Sequence, residues 1–265
     1  MTFKTQLLSD SIQSLKVWRV WLFLGKQDVK ARFRRSFIGP LWLLINMALF
    51  VGGVGVVYGL LFKQSMDEFL PFLTTGFIIW GFIVSSLTES GFAFINAEGY
   101  IKQFSFPKQI YLLRALVVYV VVLMIGMIAL IPVQLFFRHL TLLSWFFATP
   151  GFILLLLAAL GHIVIFAYLS TRFRDLPHAM SGVLQILFFV TPIIFPVKLL
   201  AERKLDFVYK YNPLHYLIEI VRYPIMNGEF ATAATYFYAG IYVIFVWIFA
   251  VLVAKQIDAR VVYLL

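Results

Sequence analysis

Apolar residues run through this chain in long blocks separated by short polar stretches. Six blocks come near the roughly 20 residues a helix needs to cross a bilayer: 38–62, 69–95, 109–137, 144–170, 179–197 and 231–254. The polar connections are Lys63–Glu68, Asn96–Lys108, Arg138–Leu143, Thr171–His178 and the long Lys198–Phe230, with a tail from Lys255 to Leu265. The pattern predicts an all-α integral membrane protein. Residues 1–36 form a cytoplasmic interfacial region and residues 37–265 a single six-helix transmembrane domain. The first apolar run, Val17 to Leu24, is broken by Arg19 and lacks a small-residue cleavage site, so no signal peptide is expected.

Two segments depart from plain spans. Residues 10–36 read as an amphipathic helix, in one or two pieces, on the inner membrane surface. Asp10 is its expected cap, with Gln13 three residues on. Trp18, Trp21, Leu22 and Phe23 supply the apolar side, and Lys26, Lys30, Arg32, Arg34 and Arg35 the basic side. The fifth block breaks at Thr191-Pro192-Ile193-Ile194-Phe195-Pro196, because each proline removes a donor and clashes with the preceding turn. Beyond it, Asn212-Pro213 starts a new helix as cap and first position, Leu214, Leu217, Ile218 and Val221 share one side, and Gly228 ends it. The reading is a broken fifth helix followed by an amphipathic helix at the outer surface. Irregular backbone at membrane depth needs protein or a water-lined cavity around it, so this region should border a pathway.

Composition agrees: 62% of the residues are apolar and 13% charged, more lipid-like than a soluble domain. The formal charge of +10 would suggest nucleic acid on a soluble protein. Here fifteen of the 22 Lys and Arg residues fall on one side of the predicted topology, which sets orientation with both termini in the cytoplasm and makes nucleic acid a poor explanation. The absence of cysteine excludes thiolate metal sites, and no His-rich metal spacing occurs. Nor is there a phosphate loop: Gly25-Lys26-Gln27 lacks the spaced glycine and the Ser or Thr. If ATP drives this chain, another chain must bind it. The twelve acids are scattered, which weighs against a membrane-embedded transferase acting on a lipid carrier. A proton- or sodium-coupled carrier would want paired acids at mid-membrane and an internal repeat.

Four stretches carry a family resemblance: Arg34-Arg35-Ser36-Phe37-Ile38-Gly39-Pro40-Leu41-Trp42, Asn96 to Pro107, Arg172-Phe173-Arg174-Asp175-Leu176, and Tyr211-Asn212-Pro213-Leu214 with the helix to Gly228. In their order and topology they resemble the membrane subunits of ABC-2 type exporters, especially those of lipid-linked polysaccharides such as O-antigen, capsule and teichoic acid. The resemblance implies a homodimer in the bacterial inner membrane with two copies of a separate ATPase subunit, which would bind ATP and Mg²⁺; this chain would bind no cofactor. Residues 97–106 would be the coupling segment, with Glu98, Tyr100, Ile101, Lys102 and Phe104, joined by Arg172, Arg174 and Asp175. Exporters of drugs, haem or simple lipids in the same superfamily remain an alternative.

Two site expectations follow. Arg32, Arg34 and Arg35 beside the inner leaflet could hold the pyrophosphate of a polyprenyl carrier, since a planar guanidinium donates two hydrogen bonds at once; the competing explanation is plain positive-inside anchoring. Trp42, Phe50, Phe188, Phe189 and Phe195 could line the pathway, where aromatic faces let a sugar polymer slide; the competing explanation is lipid-facing aromatics. Gly55 and Gly59 permit close helix approach. Glu89 and Arg114 could pair, and His162 should hydrogen-bond a neighbouring helix.

Overall fold

A computed structural model describes residues 3–34, 36–104, 106–137 and 141–265, with side chains from residue 9 onward. All regular structure among them is helical. The helices are α1 (Phe3–Lys16), α2 (Trp18–Phe33), α3 (Leu41–Leu61), α4 (Met66–Leu87), α5 (Glu98–Gln103), α6 (Gln109–Phe136), α7 (Leu142–Arg172), α8 (Leu176–Val190), α9 (Val197–Glu202), α10 (Phe207–Lys210), α11 (Pro213–Asn227), α12 (Ala233–Ile257) and α13 (Val261–Leu264), with short 3₁₀ turns after α4 and α12.

Among the described residues five helices are long and apolar enough to cross a membrane: α3, α4, α6, α7 and α12, with α4 and α12 extended by adjoining turns. The fifth apolar block is shorter. Helix α8 has 15 residues, about 22 Å at 1.5 Å per residue against roughly 30 Å of hydrocarbon. It stops where Thr191 and Pro192 interrupt the hydrogen-bond ladder, and Thr191–Ile194 run buried without regular helix.

The centre of the bundle is α4, 67% buried along its apolar window, against 17% for α3 at the edge. The long α6 and α7 pack against it, and α12 packs on α7 and α11. Gly55 and Gly59 let α3 approach α4 within the chain: a Cβ on Gly55 would collide with the Leu70 side chain, and one on Gly59 would meet Met66 Cε at 2.7 Å. His162 on α7 bridges two helices, 3.1 Å from Ser86 Oγ of α4 and 2.8 Å from the Tyr242 hydroxyl of α12.

One sequence expectation is corrected and another is filled in. Asp10 does not begin a helix: α1 starts at Phe3, so Asp10 lies inside it, and the break between α1 and α2 falls at Val17. Helix α11 has the expected ends, Asn212 Oδ1 accepting from Leu214 N–H and Gly228 taking the left-handed φ of +72°. Its apolar side is covered by the protein itself. Its residues from Leu214 to Ile225 are largely buried against α4, α7 and α12, and its backbone touches Gly151, some ten residues inside α7.

Candidate functional site

Helices α1, α2 and α5, the turn at Phe173–Asp175 and α13 gather at one end of the bundle, which we call the basic end. Helix α2 lies close on α6 because Gly25 leaves no side chain between them: a Cβ there would meet Val117 Cβ at 2.7 Å. This contact lines up two ion pairs. Arg114 of α6 grips Asp28 of α2 through Nε and Nη2. Arg32, one turn further along α2, donates to both oxygens of Glu89 at 3.1 and 3.3 Å. Glu89 and Arg114 therefore do not pair with each other; each finds its partner on α2. Between the pairs is a chamber of about 410 Å³, lined also by Phe92, Asn96, Tyr111 and Tyr119.

A second polar knot ties down the C-terminal segment. Lys108 Nζ lies 2.9 Å from Asp258 Oδ2, and the Tyr168 hydroxyl donates to Asp258 Oδ1 at 2.6 Å. Asp10 of α1 faces this knot. Its carboxyl is raised above the usual range, first by burial and then by the Asp258 charge, with Lys108 opposing. A raised carboxyl contributes stability below the unfolded value near 4 and loses it as pH rises through the folded value. Asp10→Asn should therefore match or exceed the wild type in thermal stability at pH 7, and the gap should close on acidification. A gap that widens as pH falls would contradict this arrangement.

Helix α5 stands out from the basic end. Tyr100 and Phe104 stack at 6.3 Å, Phe104 and Phe106 lie 6.0 Å apart, and all three are about half exposed. Lys102 holds Glu98 at 2.6 Å and keeps its carboxyl below the usual range; the Arg174 charge acts in the same direction, which puts the exposed Arg172–Asp175 turn beside α5. Ile101 turns inward and packs against the core. An exposed aromatic and charged patch on a short helix is a surface fit for a protein partner.

The aromatics divide. Phe50 of α3 stacks on Phe77 of α4 at 4.4 Å and lies 5.9 Å from Phe188 of α8, which is itself 5.9 Å from Trp80. Phe195 joins the neighbouring cluster of Val51, Phe69, Leu73 and Ile194. Trp42 and Phe189 point outward, 51% and 61% exposed. Of the three arginines, Arg32 is bound to Glu89, Arg34 lines a pocket with Arg32 and Ser36, and Arg35 lies outside the described residues.

The main group that sequence reasoning missed is at the opposite end. Arg222 of α11 is 1% exposed. It pairs with Glu219, donates to the Pro192 carbonyl at 2.8 Å and lies 3.8 Å over the Phe72 ring. The signal was present: Ile218 and Arg222 stand four apart, so the arginine falls on the apolar face of its helix.

An all-helical bundle of this hydropathy, with a basic end and an exposed aromatic patch on and just beyond α5, is an integral membrane protein. The chain belongs to the ABC-2 type transporter family, whose pattern matches residues 19–226. It is 31% identical over 218 residues to an O-antigen export system permease protein RfbA of Klebsiella pneumoniae, covering 77% of this chain and 79% of that one. It is 23% identical over 181 residues to the protein of the same description from Myxococcus xanthus, covering 68% and 69%.

Proposed function

We propose that this chain is the permease subunit of an ATP-driven exporter that moves lipid-linked polysaccharide across the bacterial inner membrane. The observation that carries the reading is α5 with its exposed Tyr100, and Phe104 and Phe106 exposed just beyond it, on a chain whose relatives are described as O-antigen export permeases. The basic end faces the cytoplasm with both termini, as the Lys and Arg asymmetry favours. Helix α8 and the buried break after it complete a sixth crossing. Two copies of the chain form the pathway, and two separate ATPase subunits dock on α5 and the Arg172–Asp175 turn. ATP and Mg²⁺ are held by those subunits. This chain supplies the surface they push on and the route the polymer takes.

Arg32, Arg34 and Arg35 receive the phosphate end of a polyprenyl carrier. Phe50, Phe188 and Phe195, with Trp42 and Phe189 on the outward faces, are the pathway aromatics.

The test has two arms, both in membranes holding this chain and its ATPase. Tyr100→Ala with Phe104→Ala should weaken co-purification of the two subunits about tenfold, since buried aromatics dominate such interfaces, and should depress ATP hydrolysis and export together. Alanine at Trp42, Phe50 and Phe195 should slow export more than hydrolysis. Full co-purification of the double variant, or equal slowing in the second arm, would count against the assigned roles.

A further inference from the structure

Arg32 stands where three cavities meet. It lines the chamber of about 410 Å³ between α2 and α6, an outer pocket with Arg34 and Ser36, and a cleft of about 210 Å³ that runs between α3, α4 and α6. The chamber has Asp28, Glu89, Asn96 and Arg114 on its walls beside Phe92, Val118 and Tyr119. The cleft is apolar, walled by Met47, Phe77, Phe82 and Val122. Gly81 lies on the wall of this cleft, and a Cβ there would meet nothing within 4 Å. A chamber with charged walls and an apolar cleft that share one guanidinium match an amphiphile with an anionic head and a hydrocarbon tail.

The polar half has two further marks of an anion site. Arg114 uses Nε and Nη2 on Asp28, while its Nη1 is buried without an acceptor among the described residues. A buried guanidinium donor without an acceptor is uncommon and fits an oxygen supplied by a ligand. Arg32, in contrast, has both terminal nitrogens engaged, but by a partner that can let go. The side chains of the Arg32–Glu89 pair are 37% and 43% exposed, and exposed pairs of this kind are weak. Glu89 also has an alternative partner in Ser85, whose hydroxyl donates to it at 3.3 Å. The two oxygens of Glu89 hold the guanidinium fork as two phosphate oxygens would.

We propose that the chamber and the cleft together form the binding site for a lipid phosphate, the polyprenyl phosphate end of the substrate, with Arg32 and Arg114 receiving the phosphate and Glu89 its internal stand-in. The first isoprene units lie in the cleft past Gly81. The phosphate displaces Glu89 from Arg32, so that loading breaks the tie between α2 and the end of α4. A membrane phospholipid shares the phosphate chemistry but carries two acyl chains, whereas the cleft has a volume of about 210 Å³. The inference rests on the export reading and adds to it Arg114, the displaced carboxylate and the place of the tail.

The test is calorimetric titration of the full-length chain in detergent with a long-chain polyprenyl phosphate, a short water-soluble isoprenyl phosphate, and nanodiscs of phosphatidylglycerol as competitor. Arg32→Gln should weaken binding of both isoprenyl phosphates about tenfold or more, as expected for loss of a charge-assisted contact. Glu89→Gln should tighten binding about two- to five-fold, the range set by an exposed ion pair; misfolding cannot produce that gain. Gly81→Phe, or the smaller Gly81→Leu, should weaken the long-chain ligand and leave the short one unchanged.

Weaker or unchanged binding in Glu89→Gln would overturn the stand-in role. Equal loss of both ligands in both Gly81 variants, or no loss of either, would overturn the cleft. Full competition by phosphatidylglycerol would make this a general phospholipid site and overturn the carrier assignment. Absent binding with ATP-driven export intact would remove the site and leave the export reading standing. Intact binding in a chain that supports no export with its ATPase would do the reverse.

Discussion

Arg222→Leu is expected to lower the stability of the folded chain by about 3 kcal/mol, the low end of the range for breaking a buried ion pair by removing one partner. Three attachments are lost at once: the pair with Glu219, the hydrogen bond to the Pro192 carbonyl and the contact over the Phe72 ring. The low end applies because the Glu219 side chain keeps 18% exposure and so retains some water. The larger consequence is local. The Pro192 carbonyl belongs to the irregular turn after α8, where no backbone N–H among the described residues donates to it, and a buried carbonyl left unpaired is costly. Arg222→Lys should be intermediate, because one ammonium cannot reproduce the fork that serves Glu219 and Pro192 together. Glu219→Gln combined with Arg222→Leu should recover part of the loss by removing the stranded charge. Thermal denaturation of the purified variants in detergent checks all three; wild-type stability in Arg222→Leu would remove the clamp from the account.

Much of this fold was legible because lipid imposes a simple rule on sequence. The block at 144–170 corresponds to α7 at Leu142–Arg172 and the block at 231–254 to α12 at Ala233–Ile257, since a run of apolar residues between polar ends leaves little choice of boundary. Asn212-Pro213 and Gly228 marked α11 because caps act through local backbone geometry. What covers an apolar face is a different matter. The spacing of Leu214, Leu217, Ile218 and Val221 showed that one side of α11 avoids water, yet lipid and a protein interior satisfy that side equally. Only the packing against Gly76 and Gly151 tells them apart.

The candidate site was half legible for a related reason. Arg32 was recognisable as a cation beside the inner end of the first span. Its engagement by Glu89, 57 residues away, leaves no local trace, because helical spacing reports neighbours within a turn or two and says nothing of which helices meet. Asp10 was misread as a cap on the same ground: its residue type suits a helix start, and the helix had already begun.

Gly151→Ala, a change of one methyl group, is expected to destabilise the chain by about 3 kcal/mol, the upper end for forcing extra volume into a packed interior. The added Cβ would overlap the Ile220 carbonyl oxygen and lie 2.6 Å from its carbon. Backbone in the middle of a helix cannot swing aside as a side-chain tip can, so α11 as a whole must retreat. That helix carries both Asn212, which donates to Thr191 Oγ1 at 2.8 Å, and Arg222, which holds Pro192. Its retreat therefore loosens the break after α8 from two sides. The matched control is Gly52→Ala on α3, where a Cβ would meet nothing within 4 Å; there the better helix propensity of alanine should stabilise by up to about 1 kcal/mol. The same substitution should thus carry opposite signs at two helical glycines 99 positions apart. Melting temperatures of the two variants read the signs, and labelling of Lys204 and Lys210 reads the position of α11. Equal, small effects at both glycines would mean that α11 is not seated in the bundle at the depth seen here, and the clamp on the broken helix would have to be abandoned with it.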